Sequence, residues 1–343
     1  MTERILDVKN LYTSFFTHLG EVKAIRGLDL HLEKGEALGI VGESGSGKSV
    51  TALSVMRLLI HPGKVVDGEI IFKGEDLLKK TEREMTEIRG NNIAMVFQDP
   101  MTSLNPVLKI GFQIEEAILK HQHVSKKEAA EMAVKMLEMV GIPDSSRRAQ
   151  CYPHEFSGGM RQRAMIAMAL SCQPELLIAD EPTTALDVTI QAQIIRLIKE
   201  LGKKIGTSTI LITHDLGVVA DVCDRIVVMY AGLAMEEGSA DDIFFNPAHP
   251  YTMGLLKSIP NVATDVRHRL IPIPGTPPDL LHPPVGCPFS TRCPYAMKIC
   301  TMENPEYYTV TEGHRAMCWL LDGNAPVNEK YNLQKGGIES IER

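Results

Sequence analysis

The stretch Gly42-Glu43-Ser44-Gly45-Ser46-Gly47-Lys48-Ser49-Val50 follows the apolar run Ala37–Val41. Its spacing fits GxxxxGKS, a phosphate-binding loop between a strand and a helix. Glycines let successive backbone N–H groups converge on phosphate oxygens, and the following helix adds its positive N-terminal end. Lys48 supplies a charge for the β and γ phosphates, and the Ser49 hydroxyl is a ligand for Mg²⁺. The stretch predicts an α/β nucleotide-binding fold, of which many unrelated kinds exist.

A second apolar run, residues 176–179, ends in two acidic residues. Asp180 lies at the expected strand end and is the predicted acidic partner in the Mg²⁺ shell. Glu181 comes one residue later, where a carboxylate could polarise an attacking water. The alternative is that both carboxylates only solvate a strand end. The phosphate loop in the same chain favours the catalytic interpretation.

Three further segments narrow the class of nucleotide-binding protein. Gln98 follows the apolar residues 94–97, and His214 follows the buried-strand pattern 210–213. A single glutamine carries little information alone, and a histidine at a strand end is usually an ordinary residue. The third segment is Phe156-Ser157-Gly158-Gly159-Met160-Arg161-Gln162. In this order the segments resemble the Walker A loop, Q-loop, signature, Walker B strand and switch histidine of ABC transporter nucleotide-binding subunits.

The resemblance implies roles for individual residues. Gln98 would contact the metal and the water, His214 would hold the γ phosphate, and Asp187 would lie in the D-loop that crosses the dimer interface. Ser157, Gly158 and Gly159 would contact ATP bound to the opposite subunit, so the functional unit would be a head-to-tail pair. Phe156 and Met160 depart from the commoner LSGGQ form, as in peptide and nickel importers. Phe15 is the candidate for stacking on adenine, with Tyr12 and Phe16 as alternatives.

The composition is typical of a folded, two-domain protein that lies in the cytoplasm. The chain has 343 residues, 44% of them hydrophobic, and a formal net charge of −7, which disfavours a nucleic-acid surface. The start, Met1-Thr2-Glu3-Arg4, lacks a signal-peptide pattern, and no window holds the ~18 apolar residues of a membrane span. Membrane attachment would therefore come through partner subunits, at the cytoplasmic face.

Three regions are predicted along the chain. Residues 1–250 would form the ABC cassette, a RecA-like α/β core with a helical subdomain at about 100–170, where apolar residues recur at helical spacing. Residues 251–343 would form a small irregular extension, because prolines interrupt helices and strands between 272 and 284. The segment His249-Pro250-Tyr251-Thr252 resembles the start of the extension in oligopeptide, dipeptide and nickel importer ATPases.

Four of the seven cysteines fall in this extension, at Cys287, Cys293, Cys300 and Cys318. A reducing compartment disfavours disulfides, and ordinary free thiols remain an alternative. Four thiolates suit Zn²⁺ or a [4Fe–4S] cluster. The spacing lacks the C-x2–4-C pairs of zinc knuckles, and the family resemblance also favours the iron–sulfur cluster. His282 and His314 are further candidate ligands.

The chain therefore resembles the D-type ATPases of dipeptide and oligopeptide importers over nearly its whole length. The resemblance implies hydrolysis of ATP with Mg²⁺, a second cassette that is a copy or a paralogous subunit, two transmembrane permease subunits and an extracellular peptide-binding protein. Nickel import is the nearest alternative. A nonmembrane ABC ATPase shares the ATP motifs but would carry coiled-coil or tandem-cassette insertions, which this sequence lacks.

Overall fold

The computed structural model describes residues 3–184, 186–258, 272–326 and 331. The strands in this part of the chain are β1 (Arg4–Thr17), β2 (Gly20–Glu33), β3 (Ala37–Val41), β4 (Gly63–Phe72), β5 (Glu75–Asp76), β6 (Ile93–Val96), β7 (Leu176–Asp180), β8 (Ser208–Thr213), β9 (Arg225–Tyr230), β10 (Leu233–Ser239), β11 (Tyr308–Thr311) and β12 (His314–Ala316). The α-helices are α1 (Lys48–Val55), α2 (Glu82–Ile88), α3 (Pro100–Ser103), α4 (Ile110–His121), α5 (Lys126–Met139), α6 (Ser145–Arg148), α7 (Gly158–Leu170), α8 (Val188–Ile205), α9 (Leu216–Ala220), α10 (Ala240–Phe245) and α11 (Pro250–Lys257). No helix among the described residues is long and apolar enough to cross a membrane.

The chain folds into two compact units. Unit 1 takes its described residues from Met1–Leu6, His31–Ala37 and Ile71–Ile212. Unit 2 takes them from Asp7–Leu30, Leu38–Ile70 and Thr213–Arg343. The phosphate loop and the cysteine-bearing extension therefore belong to the same unit, a grouping that the linear division at residue 250 does not express. That division stays a prediction.

Unit 1 is built around parallel strands in the order β8-β7-β6. Every residue of β6 and β7 is buried, as expected for strands covered on both faces. The segment between these two strands is helical, with α4 packed on α5 and α5 on α7. The predicted apolar positions Ile114, Ala133 and Leu137 are buried in this packing. Ser125 caps α5 in a capping box with Glu128, which explains why the helix begins there.

Unit 2 holds strands in the order β11-β12-β10-β9-β3 and a second sheet that includes β2, β1 and β4. Strands β3 and β9 are parallel, with Val41 opposite Val228, and β9 and β10 form an antiparallel hairpin. The extension adds β12 to β10, with Glu236 opposite Ala316. The prediction of a wholly irregular extension is therefore wrong for residues 308–316. These residues lie beyond the proline-rich stretch, so their N–H groups can join the strand ladder.

Candidate functional site

The phosphate loop connects β3 to α1 in unit 2. Its first residue, Gly42, has φ 153°, and a Cβ there would lie 2.1 Å from the carbonyl oxygen of Met229 in β9. Gly47 has φ 104° and immediately precedes the first turn of α1. Glycine is required at both positions because any side chain would collide or strain the backbone. The loop is therefore held closely against β9 at one end and leads into a helix at the other.

Lys48 is the first residue of α1, and only 4% of it is exposed. Its Nζ donates hydrogen bonds to the carbonyl oxygens of Gly42, at 2.8 Å, and Glu43, at 3.0 Å. The ammonium group thus lies beside the loop backbone, where its charge can act on phosphate oxygens. Ser44 and Gly45 are exposed at the loop tip, and Ser46 is buried.

Unit 1 brings together Gln98 and Glu181, two of the predicted catalytic residues. Gln98 lies two residues after β6 and Glu181 one residue after β7, and these strands are adjacent and parallel. Their carboxyl ends therefore meet at one edge of the sheet. Gln98 Nε2 donates to Glu181 Oε2 at 3.1 Å, and Thr184 Oγ1 donates to the same oxygen at 3.0 Å. The two donors orient the carboxylate.

The backbone at Glu181 is unusual for a residue with a side chain. Its φ is 44°, in the left-handed region, and its N–H donates to the carbonyl oxygen of Ile212 at 2.9 Å. Such a conformation costs about 1–3 kcal/mol and occurs often at functional sites. Asp180, the preceding residue, is the last of β7 and is 6% exposed. The left-handed backbone at Glu181 therefore begins directly after the last residue of β7.

The remaining predicted ATP contacts lie at strand and helix ends. His214 is exposed and directly follows β8. Ser157 caps α7, accepting a hydrogen bond from the Met160 N–H at 3.4 Å, so Gly158 and Gly159 occupy the first turn. Asp187 caps α8 in the same way, accepting from Ile190 N–H. Ser157 and Asp187 therefore have structural roles whether or not they also contact nucleotide.

Comparison with known proteins agrees with these motifs. The ABC transporter family profile matches residues 25–184, and the profile of the oligopeptide/dipeptide transporter C-terminal region matches residues 235–300. The oligopeptide transport ATP-binding protein OppD of Bacillus subtilis is 57% identical over 98% of this chain and 95% of its own length. The chain belongs to this family of ABC transporter ATP-binding proteins.

Other relatives of this ABC protein extend the likeness. The dipeptide transport ATP-binding protein DppD of Bacillus subtilis is 55% identical over 94% of this chain and 96% of its own length. The dimeric structure of the ATP-binding cassette MJ0796, in a post-hydrolysis state with ADP and Pi, has a TM-score of 0.62 and 29% identity. The match covers 68% of this chain and 98% of the MJ0796 chain. The predicted P-loop ABC cassette fold is therefore confirmed.

The predicted adenine contact of this ABC ATPase stays a prediction. Phe15 is half-buried, and a Cβ on Gly63 would lie 2.6 Å from its ring. The alternatives are more accessible: Phe16 is 43% exposed, with the Lys64 ammonium 4.6 Å from its ring centre, and Tyr12 is 37% exposed. Phe15 therefore has a packing role in addition to any contact with adenine.

The structure provides no direct support for the predicted metal site in the extension. Over residues 3–184, 186–258, 272–326 and 331, no three His, Cys, Asp or Glu side chains are placed to hold one metal ion. His314, a candidate ligand, is instead buried with its Nε2 2.8 Å from Glu236 Oε1. The reason is that β12 pairs with β10, and this pairing places His314 beside Glu236 of β10.

The four cysteines nevertheless lie near one another. Cys287, Cys300 and Cys318 are buried, Cys293 is half-buried, and the Cys287 N–H donates to the Cys300 carbonyl at 2.8 Å. Burial raises the pKa of the Cys287 thiol to about 12 and that of Cys293 to about 11, and charge on the neighbouring cysteines adds to both shifts. None of the four forms a disulfide.

Sequence reasoning missed one residue of this site. Arg292, next to Cys293, reaches the phosphate loop and pairs with the carboxylate of Glu43. The sequence predicts Glu43 as a nucleotide-binding residue of the loop but not its ion pair, because an arginine between two cysteines carries no local signal of that contact. The two residues are 249 positions apart, so only the tertiary fold reveals the pair.

Proposed function

We propose that this chain is the ATP-hydrolysing subunit of an ABC importer that takes up dipeptides or oligopeptides across the cytoplasmic membrane. The observation that carries this function is 57% identity, over almost the whole of both chains, to a protein named for oligopeptide transport. The match to the oligopeptide/dipeptide C-terminal region supports the same substrate class. The Gln98–Glu181 hydrogen bond supports hydrolysis, since it orients a carboxylate past the Walker B strand.

The residues have distinct tasks in this function. Lys48 neutralises phosphate charge, and oxygen donors at Ser49, Asp180 and Gln98 are suited to Mg²⁺, which prefers few protein ligands and keeps substrate phosphates and water in its shell. When bound, Mg²⁺ neutralises charge that develops on the transferred phosphoryl group. Glu181 accepts a proton from, or orients, the attacking water, and the hydrogen bond from Gln98 holds its carboxylate in place.

The partners follow from the signature. Ser157, Gly158 and Gly159 lie at the exposed start of a 13-residue helix, where N–H groups can meet the γ phosphate of ATP on a second cassette. The second cassette is a paralogous subunit, and His214 completes the contact with the γ phosphate on this chain's own nucleotide. The pair docks on two transmembrane permease subunits at the cytoplasmic face, which receive peptide from an extracellular binding protein.

Transport assays test this function. Cells that lack the gene are complemented with the wild-type chain or with Glu181→Gln, and uptake of a labelled tripeptide, a dipeptide and ⁶³Ni²⁺ is measured. Peptide uptake restored by the wild type alone is the expected result. Restoration of nickel uptake without peptide uptake would favour the nickel importer. No effect on any of the three substrates would refute the importer assignment.

The extension is further proposed to hold a [4Fe–4S] cluster on Cys287, Cys293, Cys300 and Cys318. Support comes from the closeness of the thiols: the Cys287 N–H donates to the Cys300 carbonyl at 2.8 Å, and burial together with charge on the other cysteines raises the pKa of Cys287 and Cys318, although no three of the four are placed around a single ion. The sequence spacing, which lacks the C-x2–4-C pairs of zinc knuckles, favours a bulkier cluster over one Zn²⁺. Ligation when bound would stabilise the fold of the extension.

Anaerobic purification tests the cluster. The protein is expected to be brown and to contain equal amounts of iron and acid-labile sulfide, and each single Cys→Ser variant is expected to lose both. Zinc without sulfide would replace the iron assignment with a zinc site. A metal-free protein whose extension is nevertheless fully resistant to protease would return the cysteines to ordinary thiols.

A further inference from the structure

The side chain of Arg292 donates five hydrogen bonds. Its side chain is 3% exposed, and both terminal nitrogens donate to the Glu43 carboxylate, Nη1 to Oε2 at 2.5 Å and Nη2 to Oε1 at 3.0 Å. Nη1 also donates to the Tyr230 hydroxyl at 3.1 Å. Nε donates to the carbonyl oxygen of Pro274 at 2.9 Å, and Nη2 to that of Ile273 at 3.2 Å. The guanidinium therefore binds Glu43 in a bidentate pair while two backbone carbonyls fix its direction.

Glu43 is the second residue of the phosphate loop, and its backbone is held as firmly as its side chain. Its N–H donates to the hydroxyl of Tyr251 at 2.8 Å, and its carbonyl accepts from Lys48 Nζ at 3.0 Å. Tyr251 lies in α11, at the start of the extension, and is fully buried. Two residues of the extension thus fix Glu43, one of the two loop residues whose carbonyls accept from the phosphate-binding lysine.

The contacts form one packed unit. The rings of Tyr230, Tyr251 and Phe289 pack with centroids 4.6–5.4 Å apart, and the Arg292 guanidinium lies 5.7 Å from the Tyr230 centroid and 5.9 Å from that of Phe289. Phe289 and Arg292 both fall between Cys287 and Cys293. Close-packed interiors transmit strain, and Arg292 connects the cysteine segment directly to Glu43. Residues 42, 43, 230, 251, 289 and 292 all belong to unit 2.

We propose that Arg292 is a positioning residue for the phosphate loop, through which the cysteine-bearing segment 287–300 sets the affinity of the chain for ATP. The inference rests on the proposed ATPase function. The pair has no need to touch nucleotide: it acts by holding Glu43, and with it one of the two carbonyls that accept from Lys48. By linkage, ATP binding also stabilises the segment 287–300 to the same extent.

The test measures equilibrium binding of Mg²⁺ with a nonhydrolysable ATP analogue to the purified full chain by calorimetry. Arg292→Gln is expected to raise Kd at least about tenfold, because it leaves the Glu43 carboxylate half-buried without its bidentate partner. Arg292→Lys keeps the positive charge but cannot donate two parallel hydrogen bonds to the carboxylate. A smaller increase in Kd, about threefold, is therefore expected. In the assembled transporter KM for ATP should rise while kcat changes little, since the residue does not act on the reacting atoms.

Arg315→Gln is the matched control. Arg315 also pairs with a glutamate in the extension, Glu237, with Nη2 2.6 Å from Oε2, but Glu237 lies in β10 rather than in the phosphate loop. Its loss is expected to leave Kd within about twofold of the wild type. The double variant Glu43→Gln/Arg292→Gln replaces the ion pair by two amides, so it should bind more tightly than the product of the two single effects predicts.

Two outcomes would overturn the inference. One is folded Arg292→Gln and Arg292→Lys proteins that bind the analogue as the wild type does. The other is an equal loss of affinity in Arg315→Gln, which would show a general effect of weakening the extension. A wild-type chain that binds no ATP analogue would instead refute the proposed ATPase function. If Arg292→Gln does not fold, Arg292→Lys and Glu43→Gln decide the question.

Discussion

Gly42→Ala is the sharpest test of the phosphate loop, because the structure specifies the collision. The added Cβ would lie 2.1 Å from the Met229 carbonyl oxygen, whereas real Cβ contacts stay at or beyond 3.0 Å. The loop must therefore move by roughly 0.9 Å, the difference between these two distances. Met229 lies within β9, and β9 is paired with β3, so the oxygen cannot yield easily. The displacement falls on the loop.

The expected effect on nucleotide binding is large. A displacement of about 1 Å in a preorganised site lowers the reaction rate on the order of 100-fold. We expect a loss of nucleotide affinity of the same size, which corresponds to about 2.7 kcal/mol. Backbone strain from a non-glycine residue in a left-handed conformation adds about 1–2 kcal/mol to the cost in stability. We therefore expect Gly42→Ala to bind an ATP analogue about 100-fold more weakly than the wild type in calorimetry, while remaining folded by circular dichroism.

Gly313→Ala is the matched control. Gly313 has φ 80°, in the left-handed region, but a Cβ there would meet nothing within 4 Å. This variant bears the strain without the collision, so it should lose about 1 kcal/mol of stability and keep wild-type affinity for nucleotide. Wild-type affinity in Gly42→Ala would refute the reasoning, because the loop would then not depend on its close approach to β9.

Three other perturbations test the site, the buried histidine and the extension. Glu181→Gln should lower ATP hydrolysis about 10²–10⁴-fold while analogue affinity is kept, and near-normal phosphate release would remove Glu181 from catalysis. Burial lowers the pKa of His249 from 6.5 to about 4, so the unfolded chain binds its proton first as pH falls. Stability should therefore drop by about 2 kcal/mol between pH 7 and pH 5 in urea unfolding, and less in His249→Asn, which keeps a helix cap; equal losses would contradict this. In Gly286→Ala the Cβ would lie 2.2 Å from the Cys300 carbonyl oxygen, while Gly323→Ala meets nothing within 4 Å. Faster proteolysis of the extension is expected in the first variant only, and equal rates would contradict this packing.

The local motifs were predictable because each depends on neighbours in the chain. Glycine spacing identified the loop at 42–47, and the lysine and serine that follow it begin α1. The apolar run before Asp180 is β7, and the polar residue after the run at 94–97 is Gln98. The meeting of Gln98 and Glu181 could also be anticipated, since parallel strands place their carboxyl ends together. The distance between these side chains could not.

The extension shows the limits of such reasoning. Prolines correctly indicate where regular structure is interrupted, but they carry no information on β11 and β12. Strand β12 pairs with β10, and β11 pairs with β12. His314 could be read equally well as a metal ligand or as a buried partner of Glu236 until the pairing of β12 with β10 was known. Strand pairing between distant segments depends on the whole fold, because any exposed strand edge offers the same backbone groups.

The sequence by itself determined the nucleotide-binding class, the order of the catalytic motifs and the likeness to peptide importer ATPases, because those features are written in residue type and short-range spacing. The tertiary structure alone decided that the extension and the phosphate loop share one compact unit. It also decided that Arg292 binds Glu43 across 249 positions. The physical reason is that a bidentate ion pair requires a particular placement of two charged groups in space, and no local pattern of charge along the chain specifies that placement.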